Sequence, residues 1–553
     1  MLVKDRIAQL VQAAADEAGR RGTLPAVSLP DPQIQQTQNP EHGDYATSVA
    51  LKLARAARKS PLEIARTLAD AMPHADEVAE VRVAPPGFIN FVLSDTWLKR
   101  QLEDVLSAGE AFGGSTTGAG QSVQVEFVSA NPTGPIHVGH GRGAVLGSTL
   151  ANILSAVGYN VQREYYVNDA GSQIEAFRRS LWTRYQQALG VSAEMPAEGY
   201  MGAYMTELGE QMAREHGRRF LEMPEEKGRE ALGEIGLQKM LADIRDDLSR
   251  LSVDFDVWFS EKTLFSGGQY DRALGLLRER SFVREKEGAL WFASTALGED
   301  KDAVLVRSSG LPTYFASDVA YHYNKFVERH FQRVINIWGA DHQGHVPRMK
   351  AVVSALGVEP SRLEVLISQL VTLKRGDQVI RVSKRTGDII TLREVMDEVG
   401  ADACRFFFLT RSADSQMDFD LELAKKQSQD NPVYYVQYAH ARIHSILRNA
   451  AEQRIAYANG DMQLLRDPAE MALARKMLLL PELIEEAALS LEPHRLPHYA
   501  HELATVFHGF YQSCRVISPD PALTAARLKL VDACRIVLAR TLKLMGMSAP
   551  ERM

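Results

Sequence analysis

Two histidines stand three residues apart in the stretch VEFVSANPTGPIHVGHGRGAVLGSTLANIL, Val125 to Leu154. Pro135 fixes the chain just ahead of His137, and Gly139 leaves a surface free of side chain next to His140. At positions i and i+3 of a helix start, the two imidazoles point to roughly one side. The free N–H groups and the dipole of that helix end favour a phosphate. Two imidazoles can also donate to the phosphate as charge builds on it during transfer. The local pattern alone leaves two other readings open, a capped turn with incidental histidines and a metal-binding pair.

Downstream residues add to this. WGADHQGH, Trp338 to His345, closes a strand-like run, and ligands bind where parallel strands end. Asp341 there can accept from a ribose or simply cap a helix. RVSKRTGD, Arg381 to Asp388, places Lys384 on a polar loop, as a point-charge phosphate binder or as part of a solvated basic loop. Glu126 and Asn131 precede His137, while Tyr314 and Asp318 fall at i and i+4 in GLPTYFASDVAYHYNKF. Two carboxylates with an amide and a phenol suit a guanidinium, whose fork of donors demands planar acceptors. The alternative is a solvent-facing Glu126 and a structural Asp318.

The elements that must position these residues follow from patterning. Helical periodicity spans 2–20, 44–58 and 61–72; strand-like EVRVA and GFINFVL follow, then a helix from Ser94. AFGGSTTGAGQ, Ala111 to Gln121, has no apolar period and reads as a linker. Beyond it, VQVEFV, a helix over Gly141 to Val157 and NVQREYYV alternate as βαβ units on a parallel sheet do. A charge-rich helical segment at about 182–236 interrupts them. Strand-like DAVLVR and RVINIWG return, and EVLISQLVTLKRGDQVIRVSK reads as a hairpin turning at Gly376-Asp377. From Asn431 onward the pattern is helical to the end.

With 553 residues the chain exceeds what one core sustains, so several domains are expected. A net charge of −7 argues against a non-specific nucleic-acid or DNA binder without excluding a specific RNA surface. No apolar run of membrane-spanning length occurs, and the acid-bearing N-terminus reads as an amphipathic helix rather than a signal peptide. Three isolated cysteines lack metal or disulfide spacing, which points to a reducing cytoplasm.

In order and spacing, HVGH, GADHQGH and RVSKR resemble the signatures of class I aminoacyl-tRNA synthetases; the last keeps Ser383 and Lys384 but departs at Arg381, Val382 and Arg385. The whole chain is similar to the bacterial arginyl-tRNA synthetases. The resemblance runs through GDYATSVALKLA, GFINF, VEFVSANPTGPIHVGH, YYVNDAG, DVWFSE, DAVLVRSSGLPTYFASDVAYH, GADACRFFFLTRSADSQMDFDLELA and the terminal SAPERM. It implies an α/β protein: a small N-terminal α/β domain touching tRNA (1–112), a linker (113–121), a Rossmann-like parallel-sheet catalytic domain (122–430) and an all-α anticodon-binding domain (431–553). It further implies ATP-dependent attachment of L-arginine to tRNA(Arg) through arginyl-adenylate.

By the same resemblance, Glu126, Asn131, Tyr314 and Asp318 hold arginine. His137 and His140 stabilise the reacting α-phosphate, and Lys384 the leaving pyrophosphate. Gly139 lies against adenine, and Gly339, Asp341, His345 and Ser383 complete the ATP site. Mg2+ arrives with the nucleotide, so no protein-bound metal is expected. Tyr511, Arg515 and Met553 are the expected tRNA contacts in the last domain. A monomer is the default, with no membrane or DNA partner. Two rival readings remain: a nucleotidyltransferase that activates a small carboxylate without tRNA, and a catalytically silent RNA-binding paralogue.

Overall fold

The computed structural model describes residues 2–25, 28–37, 39–380 and 390–553. At its centre lies a five-stranded sheet built from β1 (Ser122–Glu126), β2 (Asn160–Val167), β3 (Val257–Ser260), β4 (Arg333–Gly339) and β5 (Leu363–Ser368). Every neighbouring pair is parallel, in spatial order β5-β4-β1-β2-β3. The inner strands are rich in buried residues because both faces are covered; Val123, Val125, Val334 and Ile335 are all fully buried. The chain leaves β1 towards β2 and β3, then returns to the other side of β1 as β4. That reversal opens a crevice at the carboxyl ends of β1 and β4, where open α/β sheets bind ligands.

Helix α1 (Val138–Ala156) makes the first crossover, starting three residues ahead of the sequence expectation because His137 itself is its N-cap. The helix is buried on most of its surface, which its Ala, Gly and Leu content permits. A Cβ on Gly147 would lie 2.2 Å from the Phe127 ring, so the close seat of α1 on the end of β1 requires glycine there.

Several sequence readings need correction. The helix expected over 44–58 is a strand, Tyr45–Thr47, followed by a shorter helix, Val49–Ala57. Tyr45 and Thr47 alternate inward and pair with the Phe88–Leu93 strand, so sheet burial overrides helical periodicity. DAVLVR supplies Ala303–Val306 to a separate antiparallel sheet with Ala289–Phe292 and Val283–Lys286, not to the parallel one. The fifth parallel strand is instead β5, which patterning had merged into the hairpin; the hairpin is only Val371–Arg375 with Gln378–Val379. The helical excursion is wider than 182–236. Helices Ser172–Ala188, Ala203–His216 and Glu225–Arg250 enclose their own core, which includes Phe177, Leu181, Met212 and Leu232.

The glycine-rich stretch before β1 is not a loose tether. Ser115, Gly118 and Gly120 donate backbone hydrogen bonds to Ala156, Val157 and Gly158 at 3.0, 2.8 and 2.9 Å, strapping it to the end of α1. Ahead of it, four antiparallel strands and their helices form the N-terminal unit. From Asn431 the chain is helical, including α3 (Pro432–Glu452), α4 (Arg495–Ser513) and α5 (Pro521–Leu544).

Fully buried Arg405 joins this helical part to the sheet unit. Its guanidinium donates to the carbonyls of Met545, Leu251 (2.8 Å) and Ser252 (3.2 Å) and to the hydroxyls of Ser148 (2.8 Å) and Thr149 (3.3 Å). Orphaning buried carbonyls costs about 1–3 kcal/mol each. Arg405→Met is therefore expected to destabilise by about 3 kcal/mol or more, read as a clearly lower midpoint of thermal unfolding. An unchanged midpoint would contradict the junction.

Among the described residues no helix is long and apolar enough to cross a membrane.

Candidate active site

The carboxyl ends of β1, β2 and β4 and the first turn of helix α2 (Tyr314–Tyr323) surround a cavity of about 610 Å³. Glu126, the last residue of β1, and Asn131, in the loop that follows, line one side. Tyr314 and Asp318, one turn apart on α2, line another, and Gly339, Asp341 and His345 enter from the end of β4. His140, on the first turn of α1, completes the lining. The structure thus brings eight of the expected site residues into one space. His137 lies beside it as the helix cap, its ring centroid 6.0 Å from that of His140.

The His137 Nδ1 accepts from the Gly139 N–H at 2.9 Å, so in the neutral ring the proton sits on Nε2. A Cβ on Gly139 would lie 3.0 Å from that Nδ1, so glycine keeps this surface open. His140 is exposed on the cavity yet ringed by protein; loss of hydration, then the charge of His137, pushes it down to about 4, against the pull of Asp341. At neutral pH His140 is an uncharged hydrogen-bonding group.

The acidic side of the cavity is charged unevenly. Glu126 is almost fully buried, and its Oε2 accepts from the Lys325 ammonium at 2.5 Å while Oε1 accepts from Ser129 Oγ at 3.2 Å. Asp318 opens on the cavity, yet it is ringed by protein. Loss of hydration, then the charges of Glu126 and Glu261, pushes its carboxyl up to about 7, with Lys325 opposing. Such a site holds two acceptor groups with too little positive charge between them. An added planar cation would favour the ionised Asp318 carboxylate.

Tyr314 is 51% exposed at the cavity mouth, its hydroxyl 3.2 Å from that of Ser172. Asn131 donates to Gln173 at 2.5 Å. These contacts tie the opening to the helical excursion, which also reaches the loop after β1 through Tyr204, whose hydroxyl donates to the Thr133 carbonyl at 2.9 Å.

Sequence reasoning passed over Tyr166, Asn168, Gln173, Trp338 and His342, which also line the cavity. Two quoted stretches carried a signal, YYVNDAG with Tyr166 and Asn168 at the end of β2 and WGADHQGH with Trp338 and His342, but nothing local marks which of their side chains turn inward.

Ser383 and Lys384 lie outside the described residues. On the near side of that segment, Ile390 accepts from the Val138 N–H at 3.2 Å and Leu392 donates to the Ile136 carbonyl at 2.8 Å.

In the helical C-terminal part, Tyr511 is 38% exposed with the Arg442 guanidinium 4.8 Å from its ring centroid. Arg515 is exposed just past α4, and its carbonyl accepts from Arg527 at 2.9 Å. Met553 is exposed at the end of a segment anchored on α3, where His440 Nδ1 donates to the Pro550 carbonyl at 2.9 Å.

Three family models match in order: "Arginyl tRNA synthetase N terminal domain" over residues 3–93, "tRNA synthetases class I (R), catalytic domain" over 101–420, and "DALR anticodon binding domain" over 436–553. The Arginine--tRNA ligase of Dehalococcoides mccartyi (strain CBDB1) is 58% identical, covering 100% of this chain and 99% of the relative. That of Carboxydothermus hydrogenoformans is 50% identical over 94% of each. Among solved structures, a putative arginyl-tRNA synthetase from Campylobacter jejuni matches with a TM-score of 0.77 and 34% identity over 83% of this chain and 100% of its own. The Thermus thermophilus arginyl-tRNA synthetase, at TM-score 0.80 and 24% identity over 100% of both chains, shares the fold. Full-length identity of this order, with all three family models in sequence and a switch-point cavity of fitting chemistry, places the chain in the arginyl-tRNA synthetase family of class I.

Proposed function

We propose that the chain uses ATP to attach L-arginine to tRNA(Arg) for protein synthesis. The observation that carries the reading is the single cavity shared by Glu126, Asn131, Tyr314 and Asp318 with His140, Gly339, Asp341 and His345. The first group suits a guanidinium amino acid and the second a nucleotide, so the two reactants meet there.

In the first step the arginine carboxylate attacks the α-phosphate in line. A new P–O bond forms as the bond to pyrophosphate breaks, leaving arginyl-adenylate. The nucleophile is already ionised, so positioning and charge stabilisation do the catalysis. His137 and His140 donate to the reacting phosphate, and Lys384, with Ser383 beside it, meets the pyrophosphate. Gly139 takes the adenine face and Asp341 the ribose. Mg2+ would enter as part of the nucleotide substrate and offset the charge of its phosphates. In the second step a hydroxyl of the 3′-terminal ribose attacks the activated carbonyl, and AMP leaves.

Residues 1–112 contact the outer body of tRNA, 113–121 connect, 122–430 catalyse and 431–553 read the anticodon. In the last unit Tyr511, Arg515 and Met553 are the assigned contacts. An exposed tyrosine with a guanidinium against its ring offers a base the planar partner that single-stranded RNA recognition uses. The protein works as a monomer in the cytoplasm.

The test is aminoacylation of purified tRNA isoacceptors, with ATP–pyrophosphate exchange measured with and without tRNA. Charging of tRNA(Arg) with arginine is expected. Robust exchange with another carboxylate and none with arginine would overturn the reading in favour of a tRNA-independent nucleotidyltransferase.

A pH dependence follows from Asp318. Its carboxyl is pushed up to about 7 in the free pocket, and a guanidinium binds its ionised form. Arginine KM should be flat above pH 7 and rise as pH falls below it, approaching tenfold per unit. His140, at about 4, stays neutral throughout that window. Steady-state aminoacylation between pH 6 and 9 checks this, and a flat arginine KM would count against it.

A further inference from the structure

Lys325 is a fully buried lysine that belongs to neither reactant's lining. It sits immediately past α2, in the π-helical turn Asn324–Glu328. Its ammonium donates to Glu126 Oε2 at 2.5 Å and to Asn336 Oδ1 at 3.0 Å, and it lies 4.1 Å from the centre of the Tyr321 ring. A carboxylate, an amide oxygen and an aromatic face therefore surround the three donors of the ammonium.

Beyond Lys325 the network continues into α2. Asn336, buried in β4, has spent its oxygen on Lys325, and its amide nitrogen faces His322 Nε2 at 3.2 Å. His322 Nδ1 in turn lies 2.8 Å from the Asp318 carbonyl, which can only accept, so the imidazole proton is on Nδ1 and Nε2 accepts from Asn336. Burial, then the charge of Lys325, pushes His322 down to about 3, so it stays neutral and this order of donors is fixed. One buried chain thus runs from Glu126 on β1 through Lys325 and Asn336 to His322 and the backbone of Asp318 on α2.

We propose that Lys325 is a positioning residue for arginine recognition. It fixes one oxygen of Glu126 while Ser129 holds the other beside the cavity, and through Asn336 and His322 it holds the turn carrying Asp318 in matching register. The proposal rests on the reading that Glu126 and Asp318 bind arginine. Its electrostatic role is equally specific. Glu126 and Asp318 face each other across the cavity with Glu261 nearby, and Lys325 is the cation that opposes the rise of the Asp318 carboxyl. Without it, Asp318 must hold its proton to higher pH, and the site recruits a guanidinium only by first releasing that proton.

A double-mutant cycle tests this, using the full chain with tRNA, ATP and arginine. Glu126→Gln alone should raise arginine KM; if it does not, the pocket reading itself has failed. Lys325→Met should raise arginine KM at least tenfold with ATP KM within twofold, and should move the acidic rise in arginine KM to higher pH. In the Glu126→Gln background, Lys325→Met should raise arginine KM by less than tenfold, what remains being its hold on Asp318. That double variant leaves no unpaired Glu126 carboxylate, so it carries the comparison even if Lys325→Met alone does not fold. An unchanged arginine KM and pH profile in Lys325→Met, or a full-sized loss in the Glu126→Gln background, would overturn the proposal.

Discussion

Asp318→Ala is expected to raise the arginine KM by roughly a hundredfold or more while leaving the ATP KM nearly unchanged. The side chain opens on the cavity one helical turn from Tyr314, opposite Glu126. A guanidinium seated there would lose one of its two carboxylates and remain desolvated. Truncating one partner of such a pair costs roughly 2–5 kcal/mol, and about 1.4 kcal/mol is tenfold in affinity. Asp318→Asn separates charge from shape: it keeps an acceptor oxygen but removes both the ion pair and the titration near pH 7. Its arginine KM should be high and independent of pH across 6 to 8. If Asp318→Ala leaves arginine KM and kcat at their original values, the guanidinium lies elsewhere.

The second large effect is on turnover. His140→Ala is expected to lower kcat by about a hundred- to a thousandfold, the usual cost of removing one preorganised donor from a charge-developing transition state. Arginine KM should move only a few-fold, because His140 is at the α1 side of the cavity and Glu126 and Asp318 remain. The ring is uncharged at neutral pH, so it contributes a hydrogen bond rather than a fixed charge. Single-turnover measurement of adenylate formation with tRNA present separates this step from product release. A kcat within threefold of the parent would remove His140 from the chemistry.

The two effects bear on different reactants, yet the residues share one short stretch of chain. Glu126 ends β1 and His140 opens α1, so the turn between them sets the spacing of the proposed guanidinium and phosphate sites. Gly147, packed on Phe127, seats the helix against the strand and thereby holds that distance. Lys325 and Asn336 extend the same logic to β4 and α2.

The sequence by itself determined the family and the order of its parts. Local patterns in Pro, Gly and apolar period marked His137, His140, Asp341, Glu126, Asn131, Tyr314 and Asp318 as candidates, and the roles proposed for them came from the resemblance. The parallel α/β core and the helical end follow from periodicities that each segment carries alone. Strand membership was not legible, since the partner of an apolar run is chosen by burial against distant residues. Hence DAVLVR joined a separate antiparallel sheet, β5 left its supposed hairpin for β4, and Tyr45–Thr47 left its helix for an N-terminal strand. Nor could sequence find Lys325. In isolation it is one lysine near the end of a helix, ordinarily solvated; only the fold buries its ammonium beside Glu126, 199 residues away. Local patterns fix which groups are available, and tertiary packing fixes which charges must face one another without water.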